Sequence, residues 1–185
     1  MKPEMIVVAG PSGSGKSRYF RVHDFGIASF NVDDRCAELN RGSYRDISAE
    51  MRARAQLECQ QFIDECTLRR TSFAVETTLR TTIAIEQATR ARSAGFAIKM
   101  VFVATDNVQS NILRVVLRGL DGGHSAPVQR IVEIYRQSLA NLGRALAVFD
   151  EIALYDSSAH DQPPRLVRVY RDQRIAFDEP RPPDG

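Results

Sequence analysis

The chain has 185 residues, of which 43% are hydrophobic, which is enough for one well-buried core and short for two domains. Its 25 basic and 23 acidic side chains lack the basic excess that nucleic-acid binding requires, so we expect no nucleic-acid partner. Residues 1–9 hold one short apolar run, which is neither a signal peptide nor a membrane span, so the prediction is a cytoplasmic protein without a membrane partner.

The first predicted element is a strand over residues 5–9, and a glycine-rich turn follows it directly. The turn reads Gly10-Pro11-Ser12-Gly13-Ser14-Gly15-Lys16-Ser17. Glycines in this order let backbone N–H groups close on phosphate oxygens, and the helix that follows adds its positive N-terminal end. Lys16 then reaches the β- and γ-phosphates, and the Ser17 hydroxyl ligates Mg²⁺. A plain Gly/Ser turn is the alternative, but the preceding strand favours a site for ATP or GTP with Mg²⁺.

Apolar strand-like runs alternate with segments of helical period along the chain. They predict an α/β fold, with a parallel sheet of about five strands and helices on both faces. The strand runs are 5–9, 28–32, 73–75, 97–104 and 152–155. The clearest helices span 48–70, with Ser48 as N-cap, and 127–149, and Thr105-Asp106 is the predicted cap of a further helix at 107–118.

The carboxyl-terminal part of the chain changes in pattern. Alternating runs at 166–170 and 175–177 predict an added hairpin or edge strands. Residues 1–177 then form one predicted domain, and the proline-containing tail 178–185 is predicted to be disordered.

The cysteines indicate packing rather than chemistry. There are three, an odd number, and they lack the spacing of a zinc or redox site. Cys59 and Cys66 lie seven residues apart on the helix predicted at 48–70, so we expect them on its buried face as core thiols.

Two predicted strands end in polar residues suited to chemistry. Asp33 and Asp34 close the second strand, and a carboxylate there is placed to take a proton from a substrate hydroxyl facing the γ-phosphate. We choose Asp33 as the base and Asp34 as a helix cap; the alternative makes both of them turn residues.

Glu76, Thr77 and Thr78 close the third strand and suit hydrogen bonds to a polyhydroxylated ligand, although Glu76 could instead hold a water on Mg²⁺. Their alternative role is to cap the helix at 81–94.

Arginines precede the glycine-rich connection at 118–127. Arg114 and Arg118 are four residues apart and share one face of a helix, so they could swing over a triphosphate and neutralise charge on the transferred group. A solvated basic face is the alternative. The connection itself could act as a lid, in which His124 orders the loop or touches substrate.

Taken in order, these segments resemble the zeta toxin family of P-loop kinases. The resemblance covers about residues 4–158. It depends most on the Glu76–Leu79 and Gly122–Pro127 segments, which are more specific than the phosphate loop. The segments are Gly10–Ser17 with Asn31-Val-Asp33, Glu76-Thr-Thr-Leu79, Arg114 to Arg118, Gly122-Gly-His124-Ser-Ala-Pro127, and Tyr155-Asp-Ser-Ser158.

The resemblance implies a P-loop NTPase fold of the nucleotide-kinase type, using ATP or GTP with Mg²⁺. It implies transfer of the γ-phosphate to a hydroxyl of a UDP-linked N-acetyl amino sugar. Lys16 and Ser17 would take the phosphate and metal roles, Asp33 the base, and Arg118 charge stabilisation. The implied substrate contacts are Asp33, Glu76, Thr77, Thr78, His124 and Arg130, and Arg114 would contact the nucleotide. A small separate antitoxin protein is an implied partner.

Two departures from the family pattern affect these expectations. Family members usually carry an arginine just before the tyrosine of the helix after the glycine loop, where this chain has Val132-Glu-Ile134-Tyr135. Arg130 or Arg136 could replace it. The chain also has Asp156-Ser-Ser where the family tends to have Asp-Asn-Ser. The alternatives are therefore a kinase of another hydroxylated metabolite or an antibiotic, or a nucleotide-binding protein with weak or no transfer activity.

Overall fold

A computed structural model describes residues 2–120, 126–159 and 161–180. The strands are β1 (Glu4–Ala9), β2 (Ala28–Phe30), β3 (Phe73–Thr77), β4 (Ala97–Ala104), β5 (Glu151–Asp156), β6 (Arg165–Arg171) and β7 (Arg174–Asp178). The helices are α1 (Lys16–Tyr19), α2 (Val32–Leu39), α3 (Ala49–Arg69), α4 (Ile83–Ser93), α5 (Val108–Leu120) and α6 (Val128–Ala145), with a 3₁₀ turn at Val22–Phe25.

All the strands belong to a single sheet with the order β2-β3-β1-β4-β5-β6-β7. The first five in this order run parallel, and β6 and β7 add in antiparallel fashion. The predicted α/β class is confirmed. The expected count of about five strands is too low for the whole sheet, because the carboxyl-terminal hairpin pairs with β5 and extends the sheet to seven strands.

Strand β1 lies in the interior of the sheet, between β3 and β4. Because side chains alternate between the faces of a strand, Met5 and Val7 pack into the larger core, whereas Val8 packs on the other face. On that second face Val8 meets Val22 and Ala74. Burial on both faces explains the continuous apolar sequence of β1. It also holds the end of β1, where the glycine-rich turn begins, at the centre of the sheet.

Aromatic side chains join helix α3 to the sheet. The Phe62 ring meets Phe73 edge-on at 6.0 Å between centroids, and Phe73 meets Phe96 at 5.7 Å. Phe73 and Phe96 are completely buried. Cys59 packs against this core and Cys66 is buried in it, so the predicted role of core thiols is confirmed. Burial raises the pKa of the Cys59 thiol to about 11, which keeps it protonated.

The helix boundaries differ from the sequence predictions at two caps. Ser48 does cap α3, accepting a hydrogen bond from the Met51 N–H at 3.1 Å. Asp34 does not cap α2; Asn31 does, and its Oδ1 accepts from the Asp33 N–H at 2.8 Å. The predicted second strand is therefore too long, because the chain turns into a helix at Val32.

The cap of α5 also lies later than predicted. Asn107 Oδ1 accepts from the Ser110 N–H at 2.9 Å, in place of the expected Thr105-Asp106. Helix α6 ends at Ala145 rather than near residue 149. At the other end of the chain, Asp178 belongs to β7 and not to the predicted tail, and residues 181–185 lie outside the described part of the chain. No helix within the described residues is long and apolar enough to span a bilayer.

Replacing Phe73 with alanine tests the aromatic packing. Phe73→Ala removes a fully buried ring between two others, and we expect it to lower the free energy of unfolding by about 3–5 kcal/mol. Ile175→Ala on β7, where the side chain is 54% exposed, should change it by less than about 0.5 kcal/mol. Urea denaturation measures both, and equal losses would show that the hairpin contributes as much as the core.

Candidate active site

Glycines shape the connection between β1 and α1. Gly10 has φ of 140°, and a Cβ atom there would lie 2.0 Å from the Val103 carbonyl oxygen of β4. Gly13 has φ of 81°, and a Cβ there would lie 2.6 Å from the Asn111 carbonyl oxygen of α5. A side chain fits at neither position, so the turn needs glycine for both torsion and space.

Hydrogen bonds tie the outer side of this phosphate loop, residues 10–17, to neighbouring elements. Asn111 Nδ2 donates to the Ser12 carbonyl at 2.6 Å, and the Ser157 hydroxyl, just after β5, donates to the Ser14 carbonyl at 2.8 Å. Asn111 is completely buried and Ser157 is 4% exposed. The loop is therefore fixed from outside by the segments that follow β4 and β5.

Helix α1 is only one turn long, spanning Lys16–Tyr19. The sequence prediction assigned part of the phosphate attraction to a helix N-terminus. A single turn sums few peptide dipoles, so the N–H groups of the loop and the Lys16 side chain would supply most of the attraction for a phosphate.

Lys16 is the charged centre of the site. Its side chain is buried, and Nζ donates to the Pro11 carbonyl at 3.2 Å. Burial lowers the pKa of the Lys16 ammonium, the carboxylates of Glu76 and Asp33 oppose that shift, and Arg118 adds to it. Lys16 lies in α1, and the other three side chains lie in β3, α2 and α5 in the order just given. The fold therefore brings these four sequence-predicted residues close enough for their charges to interact.

Glu76 stands at the end of β3 beside the phosphate loop. The Ser17 hydroxyl donates to its carboxylate, with 2.9 Å to Oε1 and 3.2 Å to Oε2. Burial raises the pKa of Glu76, and the nearby Lys16 ammonium opposes that shift. A hydroxyl and a carboxylate oxygen side by side are the hard ligands that Mg²⁺ prefers, so Ser17 and Glu76 fit the predicted metal.

Asp33 and Asp34 both lie in the first turn of α2, rather than at a strand end as expected, and they face different partners. The exposed Asp33 carboxylate lies 3.3 Å from an Arg52 nitrogen on α3. Asp34 accepts from the Tyr44 hydroxyl at 2.8 Å and lies 3.7 Å from His23 Nε2. Both carboxylates act on Glu76 through their charge, and of the two only Asp33 also acts on Lys16.

The sequence reasoning missed two arginines near Asp33, Arg52 and Arg80. Burial lowers the pKa of Arg80, and the positive charges of Arg130 and Arg52 lower it further. The carboxylates of Asp33 and Glu133 oppose that shift, so these charged groups act on one another in one part of the site. Arg80 directly follows the Glu76–Leu79 segment, which is the signal that could have identified it, whereas Arg52 has no distinguishing pattern within α3.

The turn after Glu76 is held in an uncommon backbone conformation. Leu79 has φ of 55° although its side chain is completely buried. Its N–H donates to Thr77 Oγ1 at 3.1 Å, and its carbonyl accepts from Asn141 Nδ2 of α6 at 3.0 Å. Thr82 occupies the N-cap position of α4, so Thr77 and the half-buried Thr78 are not helix caps. Both threonines remain candidates for substrate contact.

The predicted lid arginines have different surroundings. Arg114 donates to the Ser157 carbonyl at 2.7 Å, so it contacts the fold beside the phosphate loop. Arg118 is exposed one turn later and acts on Lys16 through its charge. Arg130 pairs with Glu133 in the first turns of α6. His124 lies outside the described residues.

The phosphate loop, Asp33, Glu76 and Ser157 all lie at the carboxyl ends of parallel strands or directly after them, where open α/β sheets bind ligands. Together with the strand order, this defines a P-loop kinase fold. The sequence model described as "Zeta toxin" matches residues 1–172, and the chain belongs to the zeta toxin family. A comparison with curated proteins finds no matching sequence.

Solved structures with the same fold include three that illustrate its range. A protein of the PezAT chromosomal toxin-antitoxin system of Streptococcus pneumoniae is 19% identical, with a TM-score of 0.62 over 96% of this chain and 72% of that chain. A chain of AvrRxo1-ORF1:-ORF2 with ATP is 13% identical, with a TM-score of 0.68 over 95% of this chain and 60% of that chain. Shikimate kinase from Acinetobacter baumannii is 11% identical, with a TM-score of 0.51 over 86% of each chain. At these identities the likeness shows the fold alone.

Lys16→Met tests the buried ammonium. Mg-ATP at a hundredfold excess over its Kd should stabilise the wild-type protein by about 2.7 kcal/mol and leave Lys16→Met unchanged. Because the folded pKa of Lys16 is lowered, the unfolded chain binds more protons below the ordinary value of 10.5. Wild-type stability should therefore gain a rising component as pH approaches 10.5, and Lys16→Met should lack that component.

Lys99→Met is the matched control for this prediction. Lys99 pairs with Glu4 at 2.6 Å, between the starts of β4 and β1 and away from the phosphate loop. The Lys99→Met variant should keep both the stabilisation by Mg-ATP and the rise of stability with pH. Thermal unfolding across a pH series measures both. A normal Mg-ATP response in Lys16→Met would exclude Lys16 from the nucleotide site.

Proposed function

We propose that this protein is a kinase that uses ATP or GTP with Mg²⁺ to phosphorylate a hydroxyl of a small molecule, and that this molecule is a UDP-N-acetyl amino sugar. One observation carries the proposal. A carboxylate with no helix-capping role, Asp33, lies within electrostatic reach of the phosphate-loop lysine, Lys16, across the carboxyl ends of the parallel strands.

The nucleotide part of the proposal is supported by the phosphate loop and its lysine. Lys16 Nζ is held at the Pro11 carbonyl, within the curve of the loop, where it can meet phosphate oxygens. Ser17 and Glu76 would hold Mg²⁺, which when bound offsets the negative charge of the phosphates.

Asp33 would act as the general base in the transfer step. The acceptor hydroxyl oxygen forms a bond to the γ-phosphorus, the bond from that phosphorus to the β-γ bridging oxygen breaks, and the nucleoside diphosphate leaves. The hydroxyl proton passes to the Asp33 carboxylate. Arg52, 3.3 Å from that carboxylate, would hold it in place until the acceptor arrives.

Arg118 would stabilise charge on the transferred phosphoryl group. It is exposed, four residues beyond Arg114 on α5, and close enough to lower the pKa of Lys16. A guanidinium in this position can contribute several orders of magnitude to the rate of phosphoryl transfer. The stretch just before Tyr135, where the family usually carries an arginine, is Val132-Glu-Ile134, and its isoleucine is buried. Arg130 or Arg136 would replace that arginine, and the charge of Arg130 acts on Arg80 in the same part of the site.

The proposed acceptor class follows from the charges around Asp33. Arg52 pairs with Asp33, and Arg130 pairs with Glu133. The charges of both arginines also act on Arg80, so three guanidinium groups here face two carboxylates, a positive excess that an uncharged sugar would not offset. Guanidinium groups bind phosphate oxygens in a forked geometry, so a nucleotide diphosphate attached to the acceptor sugar complements them. The threonines after β3 and Glu76 would then contact the sugar hydroxyls.

A separate antitoxin protein is the proposed partner. The PezAT structure comes from a toxin-antitoxin system, and in this chain α5 carries four exposed apolar side chains at helical spacing. These are Leu113, Val116, Leu117 and Leu120. An exposed apolar stripe of this kind suits the packing of a partner helix, next to the helix face that bears Arg118.

Asp33→Asn tests the base. This variant keeps the size of the side chain but removes its proton-accepting carboxylate, so transfer should fall by about 10²–10⁴-fold while Mg-ATP affinity is retained. Asp34→Asn is the neighbouring control and should transfer at close to the wild-type rate, since Asp34 faces Tyr44 and His23. A transfer rate in Asp33→Asn near that of the control would remove Asp33 from the mechanism.

Product analysis separates the candidate functions. The protein would be incubated with Mg-ATP or Mg-GTP and UDP-N-acetyl amino sugars, and mass spectrometry would detect a phosphorylated product. Arg80→Ala should raise the KM for a UDP-sugar far more than the KM for the nucleotide. Phosphorylation of an uncharged metabolite or an antibiotic instead would exclude the diphosphate contact. Nucleotide binding without any phosphorylated product would favour a binding protein over a kinase.

A further inference from the structure

We infer that Asn111 and Ser157 are positioning residues for the nucleotide, because each fixes the orientation of one peptide plane in the phosphate loop. The inference rests on the proposed nucleotide site and adds two residues to which no role in nucleotide binding is otherwise assigned. Neither needs to touch the nucleotide, since both act through loop carbonyls on the side away from the cradle.

The geometry of the trans peptide connects these carbonyls to the cradle. In a trans peptide the C=O of one residue and the N–H of the next point in opposite directions. When Asn111 Nδ2 binds the Ser12 carbonyl, the Gly13 N–H of the same peptide is directed away from the Asn111 amide, and we infer that it faces the curve of the loop. The bond from the Ser157 hydroxyl to the Ser14 carbonyl directs the Gly15 N–H in the same manner.

The residues after these two peptides explain why they need to be held. Gly13 and Gly15 have positive φ values of 81° and 86°, and glycine rotates between the two signs of φ at little cost. A peptide plane followed by glycine can turn over easily unless its carbonyl is bound. A plane turned over would present a carbonyl oxygen, rather than an N–H, to the phosphates.

Both positioning residues are themselves held by α5 and the end of β4. Arg114 donates to the Ser157 carbonyl at 2.7 Å, and Ser157 N–H donates to the Ala104 carbonyl at 2.8 Å. Thr105 Oγ1 lies within hydrogen-bonding distance of Asn111 Oδ1, which directs the amide nitrogen of Asn111 to the loop. On this geometry Arg114 acts on the phosphate loop through Ser157.

The test compares two variants with two matched controls. Asn111→Ala and Ser157→Ala each remove one bond to the loop. Asn141→Ala removes another buried amide that donates to a backbone carbonyl, that of Leu79 outside the loop. Ser158→Ala removes the adjacent hydroxyl, which donates to Asp156 and accepts from the Asp106 N–H, both outside the loop. The probes are Mg-ATP and inorganic tripolyphosphate, whose Kd values are measured by calorimetry. The unfolding free energy of each variant is measured as well.

We expect Asn111→Ala and Ser157→Ala to weaken tripolyphosphate and Mg-ATP by about tenfold each, close to the value of one hydrogen bond. The Kd values of the two controls should stay within about twofold of wild type. This should hold even if their unfolding free energy falls as much as that of the loop variants. Unchanged affinity in both loop variants, or equal losses in the controls, would overturn the inference. Failure of the wild-type protein to bind tripolyphosphate would instead overturn the proposed nucleotide site on which the inference rests.

Discussion

The close approach of the phosphate loop to the backbone of β4 is the constraint on which the site depends. Gly10 sits so near the Val103 carbonyl that any side chain would collide with it. This contact requires β1 and β4 to be adjacent and parallel, which in turn requires a buried apolar β1 between two neighbours. The sheet order and the phosphate loop are therefore two results of the same packing.

Charge in the site opposes stability in the nucleotide-free protein. An ammonium and a carboxylate, Lys16 and Glu76, are both buried enough that their pKa values move toward the neutral forms. The positive charges of Arg52 and Arg130 also disfavour the charged form of Arg80. Such arrangements are disfavoured without a ligand of complementary charge, and the proposed polyphosphate and anionic acceptor would supply that charge.

The sequence predicts the parts of this protein that local pattern determines. The α/β class, the apolar strand before Gly10 and the cap at Ser48 follow from periodicity and composition. What it misses depends on tertiary contacts. Asn31 displaces Asp34 as the cap because its side chain reaches two N–H groups, and Arg52 comes near Asp33 only when α3 packs beside α2. The terminal hairpin joins the sheet because the free edge of β5 accepts it, and periodicity alone does not indicate that edge.

Leu79 combines a left-handed backbone with a completely buried side chain, and the two properties oppose each other. The torsion costs on the order of 1–3 kcal/mol, while burying a leucine side chain returns a similar amount. Replacement by glycine would relax the torsion but leave a void, so it would remove one cost and add another. Because folding already orders this turn, the proposed acceptor would meet a rigid surface there. Selectivity on that side would then come from shape complementarity, with little entropy lost on association.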